Sequence, residues 1–107
     1  MKKIKYDKTV ILFLEDLVEV LINKEYFSFY DTSEEYMWDL LQYVKNNIHT
    51  FPHKPAPPYF SKYGKNLFYI PYHRNKNTTW YILFEKTSHH FLIRHITNNH
   101  VVGQYFD

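Results

Sequence analysis

Two arginines, several histidines and many tyrosines are the residues of this sequence best suited to chemistry, and most of them fall in its second half. Arg74 and Arg94 carry guanidinium forks that match phosphate oxygens. An imidazole can take or give a proton near neutral pH, which makes His95 and His100 candidates for either role. Tyr105 brings a hydroxyl and a ring that can stack on a nucleobase. Lys62, Lys65 and Lys76 stand in turn-like stretches and offer point charges to phosphates. Together these types suit contact with a polyanion. Each also has a plainer reading. Arg74 flanks a turn. Arg94 lies within a strand, on the side of Leu92 and Ile96, where Glu85 of the neighbouring strand is a natural ion-pair partner. His100 belongs to a T-N-N-H turn sequence. With eleven Tyr in the chain, any one of them packs more often than it reacts.

The net charge of +2 hides a split. Residues 1–50 hold six Lys against nine acids, and residues 51–107 hold seven Lys and Arg against Glu85 and Asp107. Six of the seven His also fall in the second half. The asymmetry points to a C-terminal half that faces a polyanion, or to a solvated surface that is merely basic. Only two Gly are present, so a Gly-rich phosphate loop is excluded. Without Cys there is no disulfide, thiolate zinc site or Cys nucleophile. His89 and His90, adjacent on an expected strand, point to opposite faces, which argues against a shared metal ion. No metal and no cofactor are expected. The start MKKIKYDKTVILFL has a basic entry and an apolar run, but Asp7, Glu15 and Asp16 interrupt it. It reads as the start of an unprocessed cytoplasmic protein with no membrane segment.

The elements that must position these residues follow from periodicity. Lys3–Tyr6 is a short strand. Asp7 or Thr9 caps a helix from Lys8 to about Glu25, with Val10, Phe13, Leu14, Leu17 and Leu21 at helical spacing. Ile11, Leu12, Val18 and Ile22 widen its apolar stripe, which implies more than one packing partner or a face kept for another protein. Tyr26–Tyr30 is an aromatic link. Thr32 and Glu35 have the capping-box spacing that opens a second helix, with Tyr36, Met37, Leu40, Leu41, Val44 and Ile48 on its buried stripe. The proline-rich stretch 49–62 reads as extended, because proline lacks a donor and resists helix.

Strands then follow at Leu67–Arg74, Thr78–Lys86 and His89–Thr97. Pro71 demotes the first to an edge or a bulge. The second is apolar on both faces and so central. Asn98-Asn99 makes a tight turn using positive φ, and 101–106 forms a last strand or an extended tail. The whole is one domain, 1–107, of α+β class: a short N-terminal strand, then an antiparallel helical hairpin packed on a four- to five-stranded, mainly antiparallel sheet.

The stretches FPHKPAPPYFSKYGKNLFYI, HRNKNTTWYILFE and FLIRHITNNHV, taken with this element order and length, resemble the RelE/ParE superfamily of toxins. The likeness spans nearly the whole chain. It implies a toxin of a bacterial toxin–antitoxin pair, neutralised by an extended antitoxin tail. In the ribonuclease members the concave sheet face enters the ribosome and cuts messenger RNA without a metal: the 2′-hydroxyl attacks the adjacent phosphate. For this chain that reading makes Arg74, Arg94, His100 and Tyr105 the catalytic set and Lys62, Lys65 and Lys76 RNA contacts. The alternative is a non-enzymatic toxin that binds a protein such as DNA gyrase, and a degenerate member without activity is a third. A homodimer or a toxin–antitoxin hetero-oligomer fits either toxin reading.

Overall fold

A computed structural model describes residues 2–24 and 33–106, the side chains of 17–24, 33 and 34 excepted. Strand β1 (Lys3–Tyr6) leads into helix α1 (Lys8–Lys24). Asp7 makes the junction. Its carboxylate accepts from the Thr9 backbone N–H at 3.0 Å and the Thr9 hydroxyl at 2.9 Å, while its carbonyl accepts from Val10 and Ile11. Those bonds satisfy donors that a helix start otherwise leaves unpaired. Helix α2 (Ser33–Asn47) follows. The expected Tyr26–Tyr30 link, and Thr32 of the expected capping box, lie outside the described residues.

Tyr36, Leu40, Val44 and Ile48 recur every four residues and are all buried. They meet Val10 and Leu14 of α1 and the strand residues Ile70, Trp80, Ile82, Phe84, Phe91, Ile93 and Ile96 in one core. Of the expected α1 stripe, Val10 and Leu14 are buried whereas Ile11, Leu12 and Phe13 are exposed, and the side chains of Leu17, Val18, Leu21 and Ile22 lie outside the described residues. Trp80 donates its indole N–H to the Tyr36 hydroxyl at 2.9 Å, which meets the one polar need of that large ring.

Strands β2 (Lys54–Pro55), β3 (Phe68–Asn75), β4 (Thr78–Lys86) and β5 (His90–Asn98) complete a five-stranded sheet in the order β1-β5-β4-β3-β2. Only the β1–β5 pair is parallel. The central place of β4 matches its two apolar faces. β2 pairs only with Phe68 and Tyr69, so from Ile70 onward β3 has a single partner, β4. Pro71 stands in that stretch, and the Tyr43 hydroxyl donates to its carbonyl.

Three expectations on the second half give way. The proline-rich connector is not wholly extended: Pro58–Tyr63 is a 3-10 helix. Proline excludes itself from helix interiors, but its fixed φ suits the first position, and Pro57-Pro58 supplies that start. The Asn98-Asn99 pair makes no positive-φ turn. Asn98 is extended at φ −138°, and its side chain accepts from His100 N–H to cap a short helix α3 (Asn99–Val102). Residues 101–106 therefore continue helically into a 3-10 turn at Gly103–Tyr105 rather than as a strand.

Both strand arginines stand in β-bulges. The β3–β4 register passes from His73↔Thr79 to Asn75↔Thr78, skipping Arg74. The β4–β5 register passes from Leu83↔His95 to Phe84↔Ile93, skipping Arg94. The second bulge corrects the simple alternation. Ile96 shares the helix-side core with Phe91 and Ile93, which an unbroken strand would place on opposite faces.

Candidate functional site

The sheet face away from the helices is covered by short segments. The 3-10 helix at Pro58–Tyr63 sets three residues per turn, so Phe60 and Tyr63 share one side while Tyr59 and Lys62 share another. Phe60 is fully buried beside Leu67, Leu83 and Val102. Tyr63 lies flat on His95, with centroids 3.9 Å apart and planes 8° from parallel. Tyr59 lies flat on Tyr105 at 3.8 Å and 7°. The Lys62 ammonium is placed over both stacks, 4.3 Å from the Tyr59 ring centre and 5.4 Å from that of Tyr63. A cation over ring faces is held by their quadrupoles.

The turn after this helix is fixed by Gly64, where a Cβ would collide with the Glu85 carboxylate. That carboxylate belongs to a knot. The Arg94 Nε–H donates to the Tyr63 carbonyl at 2.8 Å and lies 3.6 Å from Glu85, and Nη1 lies 3.1 Å from Asp7. One guanidinium thus ties the β1–α1 junction, β4 and the end of the 3-10 helix. Thr9, Phe13, Tyr63, Arg94 and His95 line a cavity of about 320 Å³ beside it. Burial holds the His95 imidazole below its usual pKa, and the nearby Lys62 charge adds to the effect. His95 is accordingly a neutral base at pH 7. Asp7 is held below the usual carboxylate range, first by the Thr9 N–H and hydroxyl and then by Arg94.

The expected site residues separate into three places. Arg94, Tyr105 and Lys62 lie on or at the rim of this covered face, and Lys65 is exposed in the turn that follows the 3-10 helix. Arg74 lies on the helix side: its guanidinium sits over the Tyr36 ring at 4.5 Å and 3.4 Å from Asp39, with only 17% of the side chain exposed. His100 lies at the β3–β4 hairpin end. Its Nε2 is 3.0 Å from the Thr78 hydroxyl, and its neighbour Asn99 accepts from Thr79 N–H and donates to the Asn77 carbonyl. The T-N-N-H run thus fastens α3 to that hairpin. Lys76 is exposed in the same hairpin. The Glu85 partner for Arg94 is present, joined by Asp7. Tyr59 and Tyr63 were not singled out in the sequence, although Pro-Pro followed by Y-F-S-K-Y carries the three-residue spacing that places them.

Among the described residues, no three His, Cys, Asp or Glu gather as a metal site, and no helix is long and apolar enough to cross a membrane. Comparison with protein-family models, curated proteins and solved structures finds no match to this chain.

Proposed function

We propose that this chain is a cytoplasmic toxin of the RelE/ParE kind that binds single-stranded RNA on the covered sheet face and cleaves it without a metal. The observation that carries the reading is Lys62 set over two aromatic stacks, Tyr59–Tyr105 and Tyr63–His95. An ammonium flanked by stacking rings suits a strand whose phosphate meets the charge and whose bases meet the rings. His95 is the base. It takes the proton of a ribose 2′-hydroxyl, whose oxygen attacks the adjacent phosphorus. The bond to the 5′-oxygen breaks, leaving a 2′,3′-cyclic phosphate, and the departing oxygen takes its proton from solvent. Lys62 is the cation for the charge that develops on the phosphoryl oxygens. Arg94 already faces two carboxylates and is a positioning residue for Tyr63. A cognate antitoxin is the partner this reading requires.

The test is induced expression in a bacterial host with mapping of messenger-RNA 5′ ends, for the parent chain and for His95→Gln and Lys62→Gln. New ends inside translated messages, lost in both variants, are expected. Growth arrest with intact RNA would overturn the reading in favour of a protein target such as gyrase, and absence of arrest would point to a degenerate relative.

A further inference from the structure

The first residues of β1 and β5 form a corner with a different chemistry. Lys2, Lys3, Ser88, His89 and His90 line a cavity of about 490 Å³, and none of them is acidic. Lys3 is paired with His90 across the parallel ladder, and Lys5 with Leu92. Residues paired in this way project to the same face, and those two apart on a strand do so as well. Lys3, Lys5 and His90 therefore share the face opposite Ile4 and Tyr6, which pack on the helix-side core.

The backbone around the corner is fixed. The His90 N–H donates to the Thr87 hydroxyl at 2.9 Å, the Thr87 N–H donates to the His90 carbonyl, and the Lys3 N–H donates to the His89 carbonyl. His89 precedes the strand rather than lying within it, so it lines the same cavity as His90 instead of pointing to the opposite face. Burial and the positive charges of Lys5, His89 and Lys3 hold the His90 imidazole below its usual pKa. These like charges repel one another, and among the described residues no acidic side chain lines the cavity, whose remaining lysine, Lys2, is set over the Phe91 ring at 5.2 Å.

We propose that the Lys3–Lys5–His89–His90 corner is a binding site for a phosphate group. An anion there meets ammonium and imidazole donors from two strands and a turn, and relieves their mutual repulsion. The group can come from a small phosphorylated molecule or from a nucleic-acid backbone. His90 and His95 are five positions apart on β5, on the order of 15 Å. A single strand of roughly four or five nucleotides covers that distance. The corner stands on its own charges and does not require cleavage at His95.

The experiment follows the histidine ring protons of the full chain by NMR while sodium pyrophosphate is added at constant ionic strength, for the parent and for Lys3→Gln/Lys5→Gln. Both lysines are exposed, so the variant folds as the parent does. Saturable shifts at His89 and His90, an upward move of the His90 titration midpoint, and about a tenfold loss of affinity in the variant are expected. Shifts that do not saturate, or that the variant leaves unchanged, would overturn the site. A second arm uses a ten-nucleotide single-stranded RNA in place of pyrophosphate. A salt-dependence slope lower by about 1.4 in the variant identifies backbone phosphates as the source. An unchanged slope alongside pyrophosphate binding assigns the site to a small phosphorylated ligand. Binding that persists in a chain unable to cut RNA would leave this site standing while removing the cleavage reading.

Discussion

The two faces of the sheet are closed by different means. On one side two long helices deliver mostly apolar side chains at regular spacing, and the polar edges of that layer are matched in pairs, the Trp80 indole with the Tyr36 hydroxyl and the Tyr43 hydroxyl with the Pro71 carbonyl. On the other side a 3-10 helix and the C-terminal turns supply mostly rings, with Lys62, His95, Arg94 and Glu85 set among them. A face closed by regular helices is built for burial. A face closed by short segments keeps charged and titratable groups at its rim, where a ligand can reach them. The contrast explains why arginines of similar sequence appearance have different surroundings: Arg74 lies against a helix, whereas Arg94 lies at the edge of a cavity.

This difference is open to perturbation. The largest effect is expected from Phe84→Ala on the helix side, about 3–5 kcal/mol in chemical unfolding, because the site is fully enclosed and cannot collapse. Arg94→Ala should cost about 1–3 kcal/mol by leaving the Tyr63 carbonyl, Asp7 and Glu85 without their shared donor. If the knot only decorates the surface, the same measurement gives under about 0.5 kcal/mol. Asn98→Ala should cost about 1 kcal/mol by uncapping α3, with the helix-side core unaffected.

Tyr59→Ala is expected to leave stability within about 0.5 kcal/mol, since Tyr59 is exposed. Its RNA affinity, measured by fluorescence anisotropy, should fall by about 1–3 kcal/mol if a base replaces Tyr105 on that ring. Loss of stability without loss of RNA binding would return the stack to a purely structural role.

The smallest effect is on pH dependence. The folded imidazole of His95 binds its proton less readily than the unfolded one, so stability should decline as pH falls below about 6.5. Asp7, held low when folded, contributes stability at neutral pH that is lost as pH falls below about 4 and through its folded pKa. His95→Gln should shrink the upper decline to the share that His90 contributes and leave the lower one, as read from thermal melts across that range.

Much of this architecture is legible in the residues. The period of Tyr36, Leu40, Val44 and Ile48 gives a helix and its buried side, and the two apolar faces of Trp80–Phe84 give a central strand. Asp7 is recognisable as a cap because a short acceptor precedes an apolar helical repeat. The bulges are not legible, since they depend on how many residues the partner strand offers, which no local pattern records. The proline-rich connector misleads because proline both ends helices and begins them. The Asn-Asn pair misleads because asparagine serves a tight turn and a helix cap equally well. The grouping of Lys62, Tyr63 and His95 is hidden for a further reason: it joins residues 32 positions apart through a stacking contact.

The bulge at Arg94 acts as a phase change in the strand. Before it, odd-numbered residues of β5 enter the helix-side core; after it, Ile96 does. Deleting Arg94 outright would set His95 next to Ile93 and leave Leu83↔His95 and Phe84↔Ile93 in ordinary succession. The chain therefore holds this arginine as an inserted beat, one the inward rhythm of the sheet does not need. The core can keep time without it, and what the extra residue maintains is the meeting of Asp7, Glu85 and Tyr63 at the rim.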